Sequence, residues 1–192
     1  MKKFEISSFL LLFLLIPLII SIIYFTNSGT SFTLHRNDIE PISYFLSNYS
    51  HDFEFHFIGN LVMYLFLAVP FYLVENKKKL FYNSLIIFLI VPLVVSLSVF
   101  FNSSGSVLGF SGIVCAFAGY LLFDLIFKLR KEIKYLYIVS IIFPLALIIY
   151  LPFDSMFNFY GHLFGCISGV LVYFSGKFLR KCSVLYRNSF HK

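Results

Sequence analysis

The strongest constraint on this chain is a series of six apolar stretches, each about as long as a helix needs to be to cross a hydrocarbon core ~30 Å thick. They cover residues 6–25, 55–74, 80–101, 106–127, 135–153 and 157–179. Charged residues make up only 12% of the 192 residues against 59% hydrophobic ones, too few to cover a soluble surface. The expected fold is therefore all-α, a polytopic membrane protein in which residues 1–192 form one domain of six helices and residues 27–54 an outer loop. The first stretch follows Lys2 and Lys3 as a signal peptide would, but it is too long for an h-region and Thr26-Asn27-Ser28-Gly29 is not a small-residue cleavage site. A retained helix is expected.

Charge sets the orientation, because cytoplasmic loops retain Lys and Arg. Lys2 and Lys3 precede the first stretch, and Lys77 to Lys79 separate the second from the third. Lys128, Arg130, Lys131 and Lys134 lie between the fourth and fifth, and Lys177, Arg180, Lys181, Arg187 and Lys192 follow within or after the sixth. Fourteen of the fifteen basic residues thus fall on one side, leaving Arg36 on the other. Both termini are expected in the cytoplasm and the protein in the plasma membrane. The net charge of +6 comes from these anchoring clusters and not from a stripe interleaved with aromatics, which excludes a nucleic-acid partner. Cys115, Cys166 and Cys182 make neither a disulfide framework nor a zinc site, and no metal or cofactor is expected. No internal repeat supports a transporter design. Pro17, Pro92 and Pro144 imply kinks in helices, tolerated where neighbours satisfy the freed carbonyls. Pro41, Ile42, Tyr44, Phe45 and Leu46 suit a short interfacial helix lying on the membrane.

Polar residues at membrane depth are costly and mark function by default. Counting inward from the lysine at each helix end, at ~1.5 Å per residue, puts Asn60 and Ser111 each about 26 Å from Lys77 and Lys128, and His162 about 22 Å from Lys177. An amide, a hydroxyl and an imidazole therefore share one level near the outer boundary, with His56 one turn further out. A nucleophile, a base and oxyanion donors are the minimum inventory for acyl transfer. No carboxylate lies at this depth, so the sequence offers a Ser-His dyad and no triad.

Glycines frame the same residues. Gly109 and Gly112 flank Phe110-Ser111 at an expected helix start, where backbone N–H groups are free for an oxyanion. Gly112, Ala116 and Gly119 run down the fourth stretch, and Gly161, Gly165 and Gly169 down the sixth. Such rows let two helix backbones approach closely enough for Ser111 to reach His162.

The pattern His51-x4-His56-x3-Asn60, Gly109-x-Ser111-Gly112 and Gly161-His162-x2-Gly165 resembles the rhomboid intramembrane serine proteases. Order, depth and orientation agree over nearly the whole chain with the six-helix core of the bacterial and archaeal type. The resemblance implies an endopeptidase that cuts transmembrane protein substrates near the outer face of the bilayer. Ser111 is then the nucleophile and His162 the base that later protonates the leaving amine. Asn60, His56 and the Ser111 N–H would form the oxyanion hole, and Gly109, Gly112, Gly119, Gly161 and Gly165 would support the packing. Cys115 stands where many members carry a Tyr that stacks on the imidazole, the Trp-Arg loop pair is replaced by Leu34-His35-Arg36, and Gly161 stands where Ala is common.

Other polar residues have structural readings. Ser96, Ser140 and Ser168 are expected to bond back to their own helices, and Asp124 to pair with Lys128. Glu75 is structural, Cys115 and Cys166 apolar filling, and His51 organises its loop; His35 and His191 are surface residues. The rival functions are a catalytically silent relative that binds transmembrane clients, and a small transporter, which would need a polar path below the outer third.

Overall fold

The computed structural model describes residues 2–26, 32–102, 105–128 and 159–189. The predicted fifth stretch, 135–153, lies outside them, as do Ser140, Pro144 and the side chain of Lys128. The chain is a helical bundle. Helix α1 (Lys2–Leu10) continues through a π-helical turn (Leu11–Leu15) into α2 (Ile16–Thr26). Strand β1 (Leu34–His35), α3 (Ser43–Leu46) and a 3-10 turn (Ser47–Tyr49) lead to α4 (Glu54–Val74). Next come α5 (Lys77–Leu89), α6 (Val91–Ser96), a second 3-10 turn (Leu97–Phe100) and β2 (Ser106–Val107). The last helices are α7 (Ser111–Lys128) and α8 (Phe159–Ser189).

Among the described residues three segments, Lys3–Thr26, Glu54–Leu73 and Lys77–Phe100, are long and apolar enough to cross a membrane; Ser111–Asp124 and Phe159–Ser175 are shorter apolar helices. Large side chains such as Phe25, Phe55, Phe66 and Leu171 stay more than half exposed on the outside of the bundle. For a membrane helix that outward face meets acyl chains, so the exposure costs nothing.

Two prolines interrupt helices, and at each a tyrosine takes over the lost hydrogen bond. In the π turn the Ile16 N–H bonds to Leu11 O, five residues back, so Leu12 O would next need the N–H of residue 17. That residue is proline and has none. The Tyr64 hydroxyl of α4 instead donates to Leu12 O at 2.7 Å. Pro92 likewise orphans Phe88 O, four residues back, and the Tyr49 hydroxyl donates to it. The break between α5 and α6 falls there.

This second repair explains how the outer loop is held. The short helix expected around residues 42–46 forms as α3, and the turn that follows it is docked into the bundle. Ser43, Ser47, Asn48, Tyr49 and Ser50 are all buried. Asn48 Nδ2 reaches Pro92 O at 3.1 Å and Ser96 Oγ at 2.8 Å, and Ser96 Oγ donates to Tyr44 O at 2.5 Å. Ser96 therefore serves the loop, contrary to the expectation that it bonds back to its own helix.

Within the predicted fourth stretch, 106–127, the helix starts at Ser111, where the flanking glycines lead one to expect it. Residues Ser106 and Val107 pair antiparallel with His35 and Leu34. Gly109 then takes φ 110°, a left-handed conformation closed to most residues with a Cβ. At the other end of the bundle Glu75, Lys79, Asn83 and Tyr120 form a polar cluster, with Lys79 Nζ 3.1 Å from Glu75 Oε2 and Asn83 Nδ2 2.9 Å from the Tyr120 hydroxyl. Helix α8 runs ten residues past the predicted limit at residue 179, through a Lys/Arg-containing segment with no Pro or Gly to stop it.

Candidate active site

Helices α7 and α8 run in the same direction, with Ser111 and His162 in their first turns. Their backbones are nearly in contact. A Cβ on Gly165 would overlap the carbonyl of Gly112, one on Gly169 that of Ala116, and one on Gly119 that of Cys166. With no side chains to hold the helices apart, His162 Nε2 comes to 2.8 Å from Ser111 Oγ. His162 is buried and Ser111 half-buried. A hydroxyl hydrogen-bonded to an imidazole nitrogen is the geometry a base needs to take the serine proton.

The turn ahead of Ser111 is fixed from two sides. Gly109 N–H donates to Ser47 O at 2.9 Å, and Phe110 N–H points at His51 Nε2 at a long 3.5 Å. The Phe110 ring is fully buried among Tyr49, Tyr64 and Phe88. The outer loop and the aromatic core together therefore aim the first residue of α7. Ser111 N–H, at the start of the helix, has no partner within it and lies at the positive end of the helix dipole.

Asn60 and His56 both face Gly109. A Cβ built there would lie 2.7 Å from His56 Cε1 and Nε2 and 3.8 Å from Asn60 Nδ2. Asn60 is buried, and its Nδ2 has no hydrogen-bond partner among the described residues. A buried amide donor left without a partner is costly. The space that only a glycine at 109 leaves open is the space these donors address.

His51 is fully buried, its ring 5.1 Å from that of His56 and nearly perpendicular to it. Burial pushes its pKa down to about 3, the neighbouring His56 acts in the same direction, and Asp52 pulls weakly the other way. It is a neutral, loop-organising residue. Cys115 is buried and free, and contributes no ring to the site.

Four sequence-derived candidates, Ser111, His162, Asn60 and His56, thus meet at one end of the bundle. Gly109, Gly112, Gly119 and Gly165 occupy the close approaches, and Gly161 O lies 3.3 Å from where a Cβ on Gly112 would be. Sequence reasoning missed the buried anchor Phe110, and it missed Asp52, whose Oδ1 lies 2.6 Å from His56 Nδ1. The i,i+4 spacing of Asp52 and His56 was the available signal.

Comparison with curated proteins and with solved structures finds no match. The family model of the Rhomboid domain matches residues 39–176, which takes in α3, the Tyr49–Phe88 contact at Pro92, Asn60, Ser111 and His162. By that match, over well more than half of its length, the chain belongs to the rhomboid family of intramembrane proteases.

Proposed function

We propose that this chain is an active intramembrane serine endopeptidase that cleaves transmembrane segments of membrane proteins near the outer face of the bilayer. It acts as a single domain of six spans, with both termini in the cytoplasm and the plasma membrane as its site. The observation that carries this reading is the 2.8 Å Ser111–His162 contact beside the partnerless buried amide of Asn60. Ser111 Oγ attacks the scissile carbonyl as His162 Nε2 takes its proton. The carbonyl oxygen becomes an oxyanion held by Asn60 Nδ2, His56 and the Ser111 N–H. Collapse of that intermediate breaks the C–N bond, and His162 returns the proton to the leaving amine. Water, activated by His162, then cleaves the acyl-enzyme. A helical peptide bond is hydrogen-bonded within its own turn, so the substrate must unwind at the site before attack.

The test is cleavage of single-span substrates by purified protein in liposomes, beside Ser111→Ala and His162→Ala. Native cleavage lost in both variants is the expected result, a fall in kcat of about 10⁴-fold or more. Folded native protein that cleaves nothing across a broad panel, while still co-purifying with transmembrane clients, would replace this reading with the silent one.

A further inference from the structure

We propose that Asp52 is a positioning residue that holds His56 as a doubly protonated imidazolium, so that the oxyanion pocket carries one charged donor beside the neutral amide of Asn60. The inference rests on the reading of Ser111 and His162 as a protease dyad. Asp52 Oδ1 lies 2.6 Å from His56 Nδ1 and also accepts the Phe53 N–H at 3.0 Å, which pins the carboxylate just ahead of α4. A carboxylate only accepts, so Nδ1 carries the shared proton. The opposite edge of the ring, Cε1 and Nε2, faces the space beside Gly109 into which Asn60 Nδ2 also points.

The consequence follows from imidazole chemistry. In a neutral ring with its proton on Nδ1, Nε2 presents a lone pair, which repels an oxyanion. Nε2 can donate there only if the ring holds both protons. Around His56, the loop before α4 contributes His51, neutral through burial, and Asp52, while α8 contributes His162 within electrostatic reach. Asp52 is thus the negative group in contact with the ring. Both members of the pair are partly exposed, so its effect lies in directing a donor and not in stabilising the fold. The protons balance simply: His56 keeps both through each turnover, Asp52 stays ionised, and His162 alone shuttles.

The experiment combines a spectrum with kinetics. Protein labelled with ¹⁵N-histidine in liposomes gives ring-nitrogen signals, and those lost in His56→Ala belong to His56. Expected are two protonated nitrogens in the native protein and one unprotonated nitrogen in Asp52→Ala. In cleavage assays Asp52→Ala should lower kcat about tenfold at unchanged KM, less than the ~10²–10³-fold typical for loss of a whole oxyanion donor. In a His56→Ala background it should cost nothing further, and Asp52→Glu should restore part of the rate. A singly protonated native His56, or losses from Asp52→Ala and His56→Ala that multiply, would overturn the proposal. Absence of any native cleavage would instead sink the dyad reading, while the nitrogen signals would still decide the state of His56.

Discussion

Helix α7 has two flanks built on opposite principles. Toward α8 it presents Gly112, Ala116 and Gly119, and the partner's Gly165 and Gly169 press backbone against backbone. Toward α4 and α5 it presents Phe117 and Tyr120, which meet Phe71 edge-on at 5.0 and 4.8 Å, with Tyr64 and Phe88 packed beside them. Association of helices in a bilayer rests on packing, since the lipid is as apolar as the side chains. Both flanks meet that demand, but with different tolerance. Rings can tilt and slide to absorb a small change, whereas two carbonyl-lined backbones at contact distance cannot. The rigid flank carries the Ser111–His162 contact, and the adaptable one carries Phe110 and the turn that aims Ser111.

The largest effect should come from Gly165→Leu. The added side chain would drive α8 away from the Gly112 carbonyl and carry His162 out of reach of Ser111, lowering kcat to the level of His162→Ala, about 10⁴-fold or more. The matched change on the other flank, Phe71→Leu, should retain most activity and cost well under the ~3–5 kcal/mol of a full Phe-to-Ala truncation. Cleavage assays and thermal unfolding in detergent measure both. Equal losses of activity from the two variants would show that the flanks do not differ as described.

Tyr49→Phe should have an intermediate effect, since it leaves Phe88 O buried without a donor. A loss of about 1–3 kcal/mol is expected, with the outer loop becoming sensitive to protease before the bundle unfolds. An unchanged loop by limited proteolysis would mean that the carbonyl finds another partner.

The last effect concerns His51 and emerges only on the acid side of neutrality. Its pKa in the fold, about 3, lies below its ordinary 6.5, so the unfolded chain binds more protons between those values. Its contribution is fully present above about pH 6.5 and is lost as pH falls toward 3. His51→Asn should flatten the acid side of a stability profile measured by unfolding in detergent. A profile of unchanged slope would mean that other groups dominate acid sensitivity.

How much of this could be read beforehand depends on the physics of each part. The apolar helices among the described residues were legible because a hydrocarbon core imposes a length and excludes charge, and the shared level of Asn60, Ser111 and His162 because intramembrane polar groups are rare enough to count from. The glycine flank was legible too, since small residues at fixed spacing in apolar helices have few other uses. The aromatic flank was not, because Phe and Tyr are common throughout the chain and carry no register. Two-residue strands such as β1 and β2 have no periodicity to detect. Residues 41–46 read as an interfacial helix because nothing local announces that Tyr49, just beyond them, answers a carbonyl freed by Pro92, more than forty residues away. Asp52 was illegible for a different reason: a partner of His162 would lie at that residue's depth, whereas this carboxylate precedes α4 and pairs with the other histidine, His56.

The two proline–tyrosine repairs carry a consequence for the history of the fold. Each hydroxyl serves a carbonyl that is orphaned only because a proline stands four or five residues on: Tyr49 answers Pro92, and Tyr64 answers Pro17. If the proline reverts to a residue with an N–H, the carbonyl is satisfied within its own helix and the buried hydroxyl loses its acceptor, so phenylalanine becomes the better tenant. If the tyrosine is lost first, the proline becomes a liability. Across descendants of this chain the members of each couple should therefore be inherited together and lost together, even though they lie on different helices.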